Sequence, residues 1–187
     1  MLNTPVELGV TVEKRGIAEV QAGTSMFYDF SNIQNGSNVP LNEFYLHDIL
    51  PTEVVRLEKI WTGVWSERVM MELQIKTNLK TSYRTVRKNL LSTANNEIDC
   101  SQTALGLAGG EYVTEFRLVF GEVQPGFHEV TGPKVQVKVM DTVENGRKFT
   151  NKVDVGGWYI DKLIYDTDGW TCVSYNRPRG DLPKTGW

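Results

Sequence analysis

The amino-acid sequence predicts an all-β protein, a sandwich or barrel of many short strands. Three observations predict it. Apolar and polar residues alternate with a period of two over several segments, turn residues punctuate those segments at short intervals, and helical signal is thin.

The elements follow in chain order. Val6-Glu7-Leu8-Gly9-Val10-Thr11-Val12-Glu13 alternates from the start. Met26-Phe27-Tyr28-Asp29-Phe30 and Glu43-Phe44-Tyr45-Leu46-His47 are the next strands, separated by the loop Asn35-Gly36-Ser37-Asn38. Met71-Glu72-Leu73-Gln74-Ile75-Lys76 alternates strictly, which places one face on a core and the other in water. Tyr83 to Leu91 fits a short helix and a strand equally well, because Thr85 and Val86 favour strands. Ser101 to Leu107 reads as one capped helical turn. Phe116-Arg117-Leu118-Val119-Phe120, Val135-Gln136-Val137-Lys138-Val139 and Phe149 to Val155 complete the strands. Ala108-Gly109-Gly110, Gln124-Pro125-Gly126, Thr131-Gly132-Pro133 and Glu144-Asn145-Gly146 mark the turns between them. At the end, Trp158 to Tyr165 and Trp170 to Tyr175 flank Asp166-Thr167-Asp168-Gly169, which predicts a hairpin turning on those four residues.

Composition narrows the function classes. The chain has 187 residues, 40% hydrophobic and 23% charged, with net charge −3, so it suits one large domain or two small ones. The strongest basic cluster, Arg84-Thr85-Val86-Arg87-Lys88, is short, and a nucleic-acid partner is not expected. No apolar run is long enough to span a membrane. The two cysteines, Cys100 and Cys172, fit no zinc or redox spacing; two free, half-buried thiols are expected, with a single disulfide left open. His47 and His128 are the only histidines, and neither has a partner at metal spacing. No G-x-S-x-G, H-E-x-x-H or phosphate-binding loop occurs, so no catalytic residue, cofactor or metal is expected.

The last stretch changes character. Asn176-Arg177-Pro178-Arg179-Gly180-Asp181 is polar and Pro-rich, and Leu182-Pro183-Lys184-Thr185-Gly186 follows. That pentapeptide resembles the L-P-x-T-G sorting signal of sortase substrates. A transpeptidase groove needs extended chain; Pro183 stiffens it and turns Leu182 away from helix. Gly186 opens the Thr185 carbonyl to attack. The resemblance implies a substrate cut after Thr185 and joined to a cell-wall amine, hence an extracellular protein on a Gram-positive wall. The Met1-Leu2-Asn3-Thr4-Pro5 start lacks a signal peptide, as expected of a piece of a longer precursor.

A second resemblance covers the body. Ala22-Gly23-Thr24 to Tyr28, Asn35-Gly36-Ser37-Asn38, His47-Asp48-Ile49-Leu50-Pro51, Gln124-Pro125-Gly126 and Phe149 to Val155 resemble the conserved-repeat domain of bacterial surface proteins, as found in gut Firmicutes. The family implies an immunoglobulin-like β-sandwich serving as a stalk or adhesin module. Thr24 stands where that family carries an acid, and Val153 replaces its usual Ala. On this reading residues 1–176 form the sandwich, with core strands in 5–61 and 116–157, an insertion or second β-subdomain in 62–115 and a hairpin in 158–176. Residues 177–187 are linker and sorting signal.

Related pilin and collagen-adhesin domains stitch themselves with a Lys–Asn isopeptide bond. That chemistry needs a desolvated, neutral lysine, an asparagine carboxamide and a buried acid. By position, Lys14, Asp48 and Asn151 are the candidates; the alternative is that Asp48 caps the Leu50-Pro51 turn and Asn151 bonds local backbone, with no crosslink. The expected partners are a sortase and peptidoglycan. The alternative is a carbohydrate- or host-protein-binding domain, for which Trp61, Trp65, Trp158, Trp170 and Tyr159 offer a stacking platform if they share a face; core packing explains them equally well.

Overall fold

The computed structural model describes residues 4–176. The strands are β1 (Val10–Arg15), β2 (Glu19–Gln21), β3 (Ser25–Asn35), β4 (Leu41–Ile49), β5 (Val55–Trp61), β6 (Val64–Trp65), β7 (Met70–Thr77), β8 (Lys80–Leu91) and β9 (Glu97–Asp99). After one helical turn, α1 (Gln102–Leu105), come β10 (Val113–Val123), β11 (Glu129–Thr131), β12 (Lys134–Val139), β13 (Lys148–Tyr159) and β14 (Lys162–Tyr175). The fold is all-β, as the alternation predicts. Ser101 caps α1 by accepting the Ala104 N–H, and Gly106 closes it in the left-handed conformation.

A five-stranded sheet runs β1-β3-β12-β5-β9 and a seven-stranded sheet runs β2-β14-β13-β4-β10-β7-β8; β11 and β6 form a small ribbon. The core lies between the two large sheets. β3 contributes Met26, Tyr28, Phe30 and Ile33; β4 contributes Phe44 and Leu46; β12 contributes Val135, Val137 and Val139. One end is filled by aromatics. The Trp65 indole stacks on Phe127 with ring centroids 5.1 Å apart, and Phe44 and Phe120 meet them edge-on.

Residues 62–115 feed both large sheets. β7 and β10 pair directly and β10 pairs with β4, while β9 adds to β5. Tyr83 to Leu91 lies within β8, so the helical option there is not taken.

The C-terminal hairpin turns elsewhere than the sequence suggests. β13 and β14 are joined at Ile160-Asp161, where Tyr159 pairs with Lys162, and β14 runs unbroken through Asp166-Thr167-Asp168-Gly169. Those residues have the composition of a turn. Their acidic side chains are instead engaged with β1, and Gly169 lies close beneath the Asn151 carbonyl and the Thr150 side chain.

Candidate functional site

Three strands each place a polar residue where the alternation asks for an apolar one. In β1 the inward positions are Val10, Val12 and Lys14. In β4 they are Phe44, Leu46 and Asp48; in β13 they are Phe149, Asn151, Val153 and Val155. Strand periodicity therefore drives Lys14, Asp48 and Asn151 into the interior, and each is fully buried.

They meet there. Lys14 Nζ lies 2.5 Å from Asp48 Oδ2, and Asn151 Nδ2 donates to the other oxygen, Oδ1, at 2.7 Å. Asn151 Nδ2 also donates to the Ile49 carbonyl at 2.7 Å. One carboxyl group thus bridges the amine and the carboxamide. The Phe30 and Tyr28 rings wall the amine, with centroids 4.2 and 4.5 Å from Nζ.

The site is expensive as a purely structural feature. Burial lowers the Lys14 pKa below its usual value, and the facing Asp48 and the nearby Asp168 only partly offset this. Each buried ion costs several kcal/mol of desolvation, about as much as the pairing returns. Asn151 Oδ1 and the Tyr28 hydroxyl are buried with no hydrogen-bond partner, at roughly 1–3 kcal/mol each. Burial pushes the Tyr28 phenol well above its ordinary range, so it stays protonated.

The arrangement has the parts of an amide exchange. Passing one proton from Lys14 to Asp48 gives a neutral amine and a neutral acid. Attack of the amine on Asn151 Cγ would form the new C–N bond, and Asp48, whose Oδ1 accepts from Asn151 Nδ2, is placed to hand its proton to that nitrogen as it leaves. Breaking the Cγ–Nδ2 bond would then release ammonia and leave a Lys14–Asn151 amide; the attacking nitrogen gives one proton back to Asp48, which ends as the neutral acid after shuttling a proton to the leaving group.

A second polar cluster lies on the opposite face of the seven-stranded sheet. His47 Nδ1 is 2.6 Å from Asp154 Oδ1, and His47 Nε2 is 2.6 Å from Glu115 Oε1. Tyr83 donates to Glu115 and carries the Arg117 guanidinium on its ring. Among the described residues no cluster of three or more His, Cys, Asp or Glu side chains could hold a metal ion. Sequence reasoning missed these partners of His47, since β10 and β13 lie far from it along the chain.

The tryptophans do not converge on one face. Trp65 is core and Trp61, in the five-stranded sheet, leans on Phe27. Trp158 is exposed in β13, and Trp170 in β14 packs against the core with its indole N–H on the Ile17 carbonyl at 2.8 Å. Tyr159 also packs against the core. Cys100 and Cys172 are free and buried, and burial raises their thiols to about 12 and about 11. Leu182, Pro183, Lys184, Thr185 and Gly186 lie outside the described residues. No helix among the described residues is long and apolar enough to cross a membrane.

No family model matches the chain, and no curated protein does. Among solved structures, a cohesin module from a Clostridium perfringens family 33 glycoside hydrolase superposes with a TM-score of 0.47 at 11% identity, over 91% of this chain and 100% of that one. The all-β assignment stands on the strand ladders themselves.

Proposed function

We propose that this chain is a non-catalytic stalk or adhesin module of a surface protein on a Gram-positive cell wall, that its first and penultimate strands are joined by an autocatalytic Lys14–Asn151 isopeptide bond, and that a sortase links it to peptidoglycan through Leu182-Pro183-Lys184-Thr185-Gly186. The observation that carries the reading is the fully buried contact of Lys14 and Asn151 with the two oxygens of Asp48.

The placement of that bond suits a load-bearing element. A pull between the N-terminus and a C-terminal anchor would enter at β1 and leave after β14. A covalent link from residue 14 to residue 151 carries the tension past everything between them, so strands β2 to β12 are not stretched. The same link closes a loop of 151 − 14 = 137 residues. On chain-entropy grounds that stabilises the fold by about 5 kcal/mol. The scattered tryptophans fit this reading better than a glycan-stacking platform.

The test is intact-mass spectrometry of the purified full chain. The wild type should weigh one ammonia less than its sequence, and Lys14→Ala and Asn151→Ala should each show the full sequence mass. A wild type at full mass removes the crosslink. Separately, incubation with a sortase and a glycine-based amine should yield a product ending at Thr185; an untouched chain removes the anchoring.

A further inference from the structure

β1 is an edge strand of the five-stranded sheet, paired on one side with β3. Its other side faces β14, and two carboxylates stand where a neighbouring backbone would be. The Val12 N–H donates to Asp166 Oδ2 at 3.1 Å, and the Lys14 N–H donates to Asp168 Oδ2 at 2.8 Å. Donors and acceptors are each two residues apart, the period of a strand.

The register of these rungs continues along the chain. Both carboxylate bonds join residues 154 apart in sequence. The parallel backbone ladder of β2 on β14 pairs Val173 with Glu19, Ser174 with Val20 and Tyr175 with Gln21, and 173 − 19 is again 154. Between the two lie Gly16 and Ile17. Trp170 donates its indole N–H to the Ile17 carbonyl, and a Cβ on Gly16 would sit 2.8 Å from the same indole. From Val12 to Gln21 the chain therefore runs beside β14 in a single register, held first by side chains and then by backbone.

That register decides where Lys14 points. A slip of one residue would turn its side chain from the core to solvent. A bulge between Thr11 and Glu13 shifts the β1–β3 register just before Lys14, so β3 pairing is interrupted at that point.

We infer that Asp168, with Asp166 beside it, is a positioning residue for the isopeptide reaction: its carboxylate takes the Lys14 backbone N–H and holds the lysine against Asp48 and Asn151 before the bond forms. The inference rests on the crosslink reading above. The part Asp168 plays is that of a hydrogen-bond acceptor. Its negative charge works in the other direction, favouring the ammonium form of Lys14, beside Asp48 and the neutral Tyr28. Acceptor and charge can be separated by substitution.

The experiment follows ammonia loss by intact mass over time in the full chain after cell-free synthesis, below the melting midpoint of every variant. Asp168→Ala removes acceptor and charge and should slow the reaction about tenfold or more. Asp168→Asn keeps an acceptor oxygen and should stay within about threefold of wild type, with its rate–pH profile moved to lower pH. A merely structural role would not move that profile. Asp168→Ala reacting at the wild-type rate overturns the inference and leaves the crosslink standing, as does Asp168→Asn slowed as much as Asp168→Ala. A wild type that never loses ammonia overturns both. Near-ultraviolet circular dichroism of Lys14→Met/Asp168→Ala matching that of Lys14→Met shows that the slowed chain is folded.

Discussion

His47 and Asp48 are neighbours in β4 that serve opposite faces of one sheet: His47 turns outward to Asp154, 2.6 Å from its Nδ1, while Asp48 turns inward to Lys14. The outward cluster should give the fold a measurable pH dependence. Burial alone would lower the His47 pKa, but the hydrogen bonds that Asp154 and Glu115 accept from its ring outweigh it and raise the value above 6.5. Its contribution is complete below 6.5 and fades as pH climbs through the raised value. Burial likewise opposes ionisation of Glu115, yet His47 and Lys76 hold its pKa below 4.5. That contribution is present above 4.5 and fades as pH falls through the lowered value. The cluster therefore stabilises most between these two limits. Being part-exposed, it is worth about 1 kcal/mol or less. In urea unfolding, wild type should lose stability relative to His47→Gln as pH rises above 6.5 and through the raised His47 value. Parallel behaviour of the two proteins would remove the cluster's role.

The inward cluster predicts a different hierarchy. Asp48→Ala leaves the Lys14 ammonium buried without its counter-ion, which costs about 3–5 kcal/mol, and it removes the proton shuttle. The variant should appear at full sequence mass and melt well below wild type. Replacing all three residues, as Lys14→Met/Asp48→Leu/Asn151→Leu, should restore most of that loss because no buried charge remains. Calorimetry of the two variants checks this. A triple variant less stable than Asp48→Ala would mean that the polar contacts, rather than a bond, justify the site.

Much of this organisation is legible in the sequence, for a physical reason. Strand periodicity is local, so alternation alone assigns Val10, Val12 and Lys14 to one face, and a lysine in that series signals an unusual interior. Strand order is not local. β4 sits between β13 and β10, which no short-range pattern reveals, so the carboxylates flanking His47 stayed hidden. The hairpin failed for a third reason. Asp166 to Gly169 carries turn-forming residues, but Asp166 and Asp168 spend their acceptors on the β1 backbone, and β14 continues through them.

The actual turn carries a residue poorly suited to it. Ile160 adopts φ 58° and is 78% exposed, so a β-branched side chain holds a left-handed conformation with little burial in return. Such strain costs about 1–3 kcal/mol. Ile160→Gly should stabilise the fold by about 1 kcal/mol, read as a higher urea midpoint with unchanged slope. A lower midpoint would show that the isoleucine makes a contact that offsets its strain.

Cys172 gives a reporter of how tightly the final strand is held. It sits in β14, paired with Phe149 of β13, and is fully buried. Burial raises its thiol from 9.0 to about 11, which cuts the thiolate fraction at neutral pH about a hundredfold before access is considered. Labelling therefore needs β14 to open locally. A Lys14–Asn151 bond ties β13 to β1, the strand whose backbone the β14 carboxylates grip. Opening β14 in the crosslinked chain should then be rarer than in Lys14→Ala. Maleimide labelling of Cys172, read by peptide mass in a Cys100→Ser background, should be at least about tenfold slower in the crosslinked chain, a difference of about 1.4 kcal/mol in opening free energy. Equal labelling rates would mean that the bond does not restrain β14.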